Sequence, residues 1–227
     1  MPLLGLVALG CAHKGEDVVT EIRNNLQAPS GVTVGRYPAK RLLFEDPVCM
    51  SKETDIYFFF LFSECIDKRS AIGDKLTREF ALQDPTSLVE KRFVDNLTSW
   101  VGAGNLRILP KAVEPEKPST IGSSLVIDFK TFELKFWSFG NTGYNEPNNM
   151  TMHFWFAVRS RATQVTEGRT LWAEVCFYRT NDRGEGPYRY GELLADNGAK
   201  VKQIIEHAAD ECGRELATKL LAANEKA

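Results

Sequence analysis

The sequence predicts a mixed α/β chain of the α+β type, and three observations predict it. Met152, Phe154, Phe156 and Val158 alternate with polar neighbours, a turn falls at Glu167-Gly168, and Leu171, Ala173, Val175 and Phe177 alternate back, which reads as a long β-hairpin. Val89, Phe93, Leu97, Trp100 and Val101 recur with helical period after Asp84-Pro85. A second helical stripe, Val201, Ile204, Ile205, Ala208, Cys212, Leu216 and Leu220, runs through Asn197 to Leu221 and makes Cys212 a core residue. At 227 residues the chain is the size of one generous domain.

Taken in order, residues 12 to about 35 are polar, with a weak helical period through Val18, Val19, Ile22 and Leu26 ahead of Pro29-Ser-Gly31. A tether with a short helix is expected over 11–35, and a single domain over 36–227. Tyr37 to Phe44 has strand composition. So does Asp55 to Phe62, whose Tyr57, Phe58, Phe59, Phe60 and Phe62 predict a central strand buried on both faces. Asp67-Lys-Arg69, followed by Ile72-Gly73, would stand at the mouth of that strand, its charges capping the strand end or pairing with each other. Ser87-Leu-Val-Glu90 has the spacing of a capping box, in which serine and glutamate satisfy each other's exposed amides. Gly102 and Gly104 stop the helix, a short strand follows at Leu106 to Leu109, and Pro110 to Pro118 is a surface connection.

Leu125, Ile127 and Phe129 give way to Phe132, Leu134 and Phe136, a change of phase that predicts a β-bulge near Lys130 and Thr131. Gly140 to Asn149 reads as a long exposed turn, and Asp182 to Gly191 as a glycine-rich loop. Pairing the hairpin about Glu167-Gly168 sets Val158 opposite Phe177 and Arg161 opposite Glu174, with the apolar sets on one face. The other face then carries Trp155, Trp172, Cys176 and Tyr178 beside His153, Arg159 and Arg161. Something covers such a face: the N-terminal segment, the Gly140 to Asn149 loop, or a partner or second copy. On the partner reading, Trp155, Trp172 and Tyr178 are the candidate binding residues.

The 28 basic and 30 acidic residues give a formal charge of −2 with no long run of either sign, which offers nucleic acid nothing. The three histidines, His13, His153 and His207, do not cluster with cysteine or carboxylate at zinc spacing, there is no CxxC, and neither a metal nor another cofactor is expected. Val101-Gly-Ala-Gly104 follows a helix instead of opening one, the wrong order for a dinucleotide loop. With no GxSxG elbow and no paired carboxylates beside a group that would tune them, the sequence predicts no enzyme.

Leu3 to Cys11 is an uncharged apolar run that ends in a cysteine preceded by Gly10, the form of a lipoprotein signal whose peptidase cleaves before a lipid-bearing cysteine. It lacks a basic residue ahead of the run, and the alternative is that Leu3 to Leu9 is a buried strand or terminal segment. Assigning Cys11 to lipid leaves Cys49, Cys65, Cys176 and Cys212, which make two disulfides in an oxidising compartment or stay as buried thiols; three connectivities are open.

The order strand, Asp-x-Arg with Ile-Gly, helix, short strand, long strand, hairpin and C-terminal helix resembles small bacterial envelope lipoproteins, as do Ser123-Ser-Leu-Val-Ile-Asp-Phe129 and Thr170-Leu-Trp-Ala-Glu174. The likeness is to YajG-like lipoproteins and to ABC-type transport auxiliary lipoproteins related to PqiC, over Ile56 to Leu221. It implies a two-layer sandwich, a mixed, mostly antiparallel sheet with helices on one face. It also implies a lipid anchor at the periplasmic face of the outer membrane, and a binding role in an envelope transport or assembly complex. A soluble ligand-binding or enzymatic domain, with its pocket between the aromatic strand and the Gly140 to Asn149 loop, is the alternative expectation.

Overall fold

The computed structural model describes residues 16–45, 58–110, 122–138 and 150–222, without the side chains of 16–18, 58–67 and 101. Its elements are α1 (Glu16–Gln27), β1 (Val32–Arg36), β2 (Leu43–Phe44), α2 (Phe58–Glu79), α3 (Pro85–Val101), β3 (Leu106–Ile108), β4 (Leu125–Ser138), β5 (Thr151–Gln164), β6 (Arg169–Arg179), β7 (Tyr188–Arg189), α4 (Tyr190–Leu194) and α5 (Ala199–Ala222).

The strands form one mixed sheet in the order β3-β1-β4-β5-β6, with β2 beside β4 and β7 beside β5. β1 runs parallel to β3 and β4, and β2 parallel to β4, while β4-β5-β6 and β7 are antiparallel. Helices α3 and α5 cover one face, as expected of a two-layer α/β sandwich. Phe93 of α3 meets Phe129 of β4 edge-on at 5.1 Å between ring centroids, and Thr86 shares a hydroxyl hydrogen bond of 2.8 Å with Thr131. Gly213 lets α5 approach α3 closely, since a Cβ there would stand 2.9 Å from the Val89 carbonyl oxygen.

Several expectations are corrected. The aromatic run at 58–62 lies in helix α2, with 55–57 outside the described residues, so it is no central strand. A continuous apolar run fits a buried helix as well as a buried strand, and the helical signals after it, such as the Lys75–Glu79 pair one turn apart, decide the outcome. Of Tyr37 to Phe44 only Leu43–Phe44 is strand; Pro38 has no N–H for a ladder. Within 11–35, expected as a tether with a short helix, the helix is α1, its Ile22 and Leu26 are buried in the core, and β1 lies between β3 and β4.

Helix α3 begins at Asp84, whose carboxylate accepts the Thr86 N–H at 2.9 Å with Pro85 in the first turn, so Ser87 is not the cap and its hydroxyl donates to the Asp84 carbonyl. Glu90 is thereby released from the capping role expected of it and takes Arg36 at 2.7 Å. The helix ends at Gly102, with φ of 84°, as the glycine signal predicts. Val89, Phe93 and Leu97 are buried, but Trp100, expected on the same stripe, is 67% exposed. The stripe of α5 is buried throughout, Cys212 included.

Candidate interaction face

The bulges decide which side chains meet on the face of β4, β5 and β6 turned away from α3 and α5. In β4 the register against β5 shifts between Thr131 and Glu133, within two residues of the predicted site. Phe132 is the extra residue and is thrown outward, where the Arg159 guanidinium lies 5.5 Å from its ring centroid. In β6 a second shift sets Thr163 opposite Thr170 but Ala162 opposite Trp172, leaving Leu171 as the extra residue.

That one-residue shift reverses the expected facing of β6, because side chains alternate with a period of two. Val158 pairs with Cys176, not Phe177, and Arg161 with Ala173, not Glu174. Of the three residues expected to bind a partner, Trp172 and Tyr178 are consequently core residues, at 9% and 0% exposure, and only Trp155 lies on the outer face. Tyr178 donates to Glu185 at 2.6 Å, and burial, then that bond, push its phenol far above the usual range. Phe177, expected inside, is 58% exposed.

Cys176, turned inward by the same shift, is bonded to Cys212 of α5, with a Cα–Cα distance of 5.5 Å, so one of the open cysteine pairings is settled and it joins sheet to helix layer. Cys11 and Cys49 lie outside the described residues, and Cys65 falls within α2 where side chains are not described.

The outer face is built of interleaved aromatic and charged side chains. Trp137 and Trp155 stack at 6.4 Å, with interplanar angle 16°. The Lys135 ammonium sits 4.3 Å from the Trp155 centroid, and the Arg179 guanidinium 4.9 Å from it. The Trp155 indole N–H donates to Asn181 at 3.2 Å. Beside this ladder, Asp128 is 1% exposed and accepts from Arg161 Nε at 2.8 Å, while Arg159 stands 3.9 Å from its other oxygen. Arg161 also donates to the Tyr37 hydroxyl at 3.4 Å, and Lys130 lies 5.0 Å from the Tyr37 ring centroid. Burial pushes the Asp128 carboxyl up, and its bond to Arg161 only partly pulls it back.

At the end of the sheet, Arg69, from the motif singled out in the sequence, pairs with Glu45 at 3.0 Å and lies 5.1 Å from the Trp137 ring centroid. The buried Glu45 also accepts the Ser138 N–H. The Asp67 side chain is not described. Sequence reasoning missed Trp137, Lys135 and Arg179, because their common face depends on both bulges. Their strand positions alone carry that signal once the shifts are known.

Cavities among the described residues include one of about 240 Å³ beside Leu82, Leu88, Lys202 and Ile205, and one of about 130 Å³ beside Trp100 and Leu221. The pocket expected near Gly140 to Asn149 involves residues outside the description. Among the described residues no group of three or more His, Cys, Asp or Glu could hold a metal ion, and no helix is long and apolar enough to cross a membrane.

No protein-family model matches the chain, and no curated protein matches it. Solved structures similar to it include a Xanthomonas campestris protein, 11% identical with TM-score 0.38 over 63% of this chain. The chain spans 65% of that protein's length. A minor lipoprotein of Acinetobacter baumannii is 9% identical with TM-score 0.35, over 62% of this chain and 87% of that one. The PelC dodecamer of Paraburkholderia phytofirmans is 10% identical with TM-score 0.33, over 80% and 84%. At these levels the likeness carries no inference about activity or assembly.

Proposed function

We propose that the protein is a non-enzymatic envelope lipoprotein, held at the periplasmic face of the outer membrane by a lipid on Cys11 and acting by binding within an envelope transport or assembly complex. The observation that carries this reading is the Cys176–Cys212 disulfide, buried between the two layers. Such a bond persists in an oxidising compartment and is reduced in the cytosol, so it agrees with export. Leu3 to Cys11 supplies the matching address, and α1 starts only five residues past Cys11, which would keep the folded chain within about 20 Å of the bilayer even at full extension. The resemblance to YajG-like and PqiC-like lipoproteins supports the auxiliary role. Of the trio expected from sequence to bind a partner, only Trp155 stays on an outward position, so Trp172 and Tyr178 drop out of this reading.

Palmitate labelling tests the anchor. The parent chain is expected to take up label and to stay with membranes through a high-salt wash, while Cys11→Ala does neither. An unlabelled parent, or a Cys11→Ala chain that resists the salt wash, overturns the proposal.

A further inference from the structure

We infer that the outer face of β4, β5 and β6 docks on an anionic lipid leaflet, with Lys130, Arg159 and Arg179 meeting phosphate-bearing headgroups and Phe177 entering the interface. This rests on the lipoprotein reading for the nearness of a membrane, and goes beyond it by naming the surface turned toward lipid.

Charge complementarity carries the inference. The whole chain has a formal charge of −2, yet the outward positions of these strands hold the cations Lys130, Lys135, Arg159, Arg161 and Arg179 against only Asp128 and Glu133. Both carboxylates are already engaged, Asp128 by Arg161 at 2.8 Å and Glu133 by Lys135 at 3.2 Å. Lys130, Arg159 and Arg179 are left without a carboxylate at hydrogen-bond distance among the described residues, the nearest to Arg159 being Asp128 at 3.9 Å. Lys130 and Arg159 are moreover direct partners across the ladder. Like charges so opposed cost stability, and a bound anion would offset that cost.

The aromatic partner of this charge is Phe177, 58% exposed, with the Arg179 guanidinium 5.7 Å from its ring centroid. An apolar ring rimmed by arginine suits the boundary between headgroups and acyl chains, where rings enter and long cationic side chains reach phosphate. An acidic peptide laid on this face would find the strand amides of β4 and β5 already paired, so the face offers side-chain charge instead of a strand template.

The test uses the full chain with Cys11→Ala, so that no lipid anchor contributes, in flotation with phosphatidylcholine vesicles with or without phosphatidylglycerol. Binding is expected only to the vesicles containing phosphatidylglycerol and is expected to fall with salt. Lys130→Gln with Arg159→Gln is expected to weaken it about fivefold for each charge removed. Phe177→Ser weakens it as well, and Arg214→Gln on α5 leaves it unchanged. Thermal melts establish that each variant is folded, and Arg179→Gln with Phe177→Ser serves if the first pair is not. Equal binding to both vesicle types, outer-face variants that bind like the parent, or retention by soluble polyglutamate without vesicle binding overturns the inference. Palmitate labelling reports the anchor alone and flotation of the anchor-free chain the face alone, so the two readings fail separately.

Discussion

At the scale of single residues, the sheet is held by carboxylates that the helix and strand patterns do not reveal. Asp128 is buried under Arg161, and Glu90 is buried against Arg36. In both, burial raises the carboxyl above its ordinary range, while the arginine's hydrogen bond and charge pull the other way without prevailing. A carboxyl raised by folding keeps its proton at a pH where the unfolded chain has lost it. Its contribution therefore favours the fold below the unfolded value, near 3.8 for Asp128, and declines as pH climbs through the folded value. Asp128→Asn, nearly isosteric with the protonated acid, removes that decline. Urea midpoints measured from pH 3 to pH 6 are expected to drift in the variant's favour relative to the parent. A drift toward the parent would show that the Arg161 bond outweighs burial.

At the scale of elements, what was legible and what was not divides along local and non-local signals. The C-terminal helix, the glycine stop of α3, the short strand β3 and the long strands β4, β5 and β6 could be read from period and punctuation, because those signals lie within a few residues of the element they specify. The facing of β6 could not. Residues 171, 173, 175 and 177 alternate as an apolar set, yet the extra residue at Leu171 turns 173, 175 and 177 outward and brings in Trp172, Cys176 and Tyr178, whose bulk and disulfide fill the space under α3 and α5. For that one reason Trp172 and Tyr178 lie in the core, while Trp155, on β5, stands on the outer face as its alternation predicts. It also means that Trp172→Glu would report on folding and not on association. Deleting Leu171 leaves Ala162 opposite Trp172 and Thr163 opposite Thr170, so the disulfide is expected to form and the fold to survive. Inserting one alanine after Ala173 shifts Cys176 to the outer face instead. Thiol labelling of the denatured proteins distinguishes them: two additional reactive thiols are expected only in the insertion variant, and labelling alike in both would show that the bulge does not set the facing.

At the scale of the molecule, the two layers meet through apolar packing and, among the described residues, one covalent link. Phe93 contacts both Phe129 and Trp172, so α3 spans the sheet from β4 to β6, while α5 lies over β6, held by Cys212 and by Lys219, which donates to the Val175 carbonyl at 3.2 Å. That lysine engages the backbone of a sheet-edge strand, which blunts the tendency of an edge to recruit another chain. The disulfide closes a loop over a sequence separation of 36 residues. Closure of a loop of that length in the unfolded chain is worth roughly 3 to 4 kcal/mol in the entropic account. For a domain of this size that corresponds to a fall of about 10 °C in Tm when the link is lost. Cys176→Ser and Cys212→Ser are each expected to show it by calorimetry, and dithiothreitol is expected to lower the parent to the same value. The buried position of both sulfurs makes the agreement informative: a serine hydroxyl placed there lacks the apolar contacts of a thiol, so a variant melting well below the reduced parent would assign the excess to packing. A reduced parent that melted like the oxidised one would remove the structural reason for confining the folded chain to an oxidising compartment.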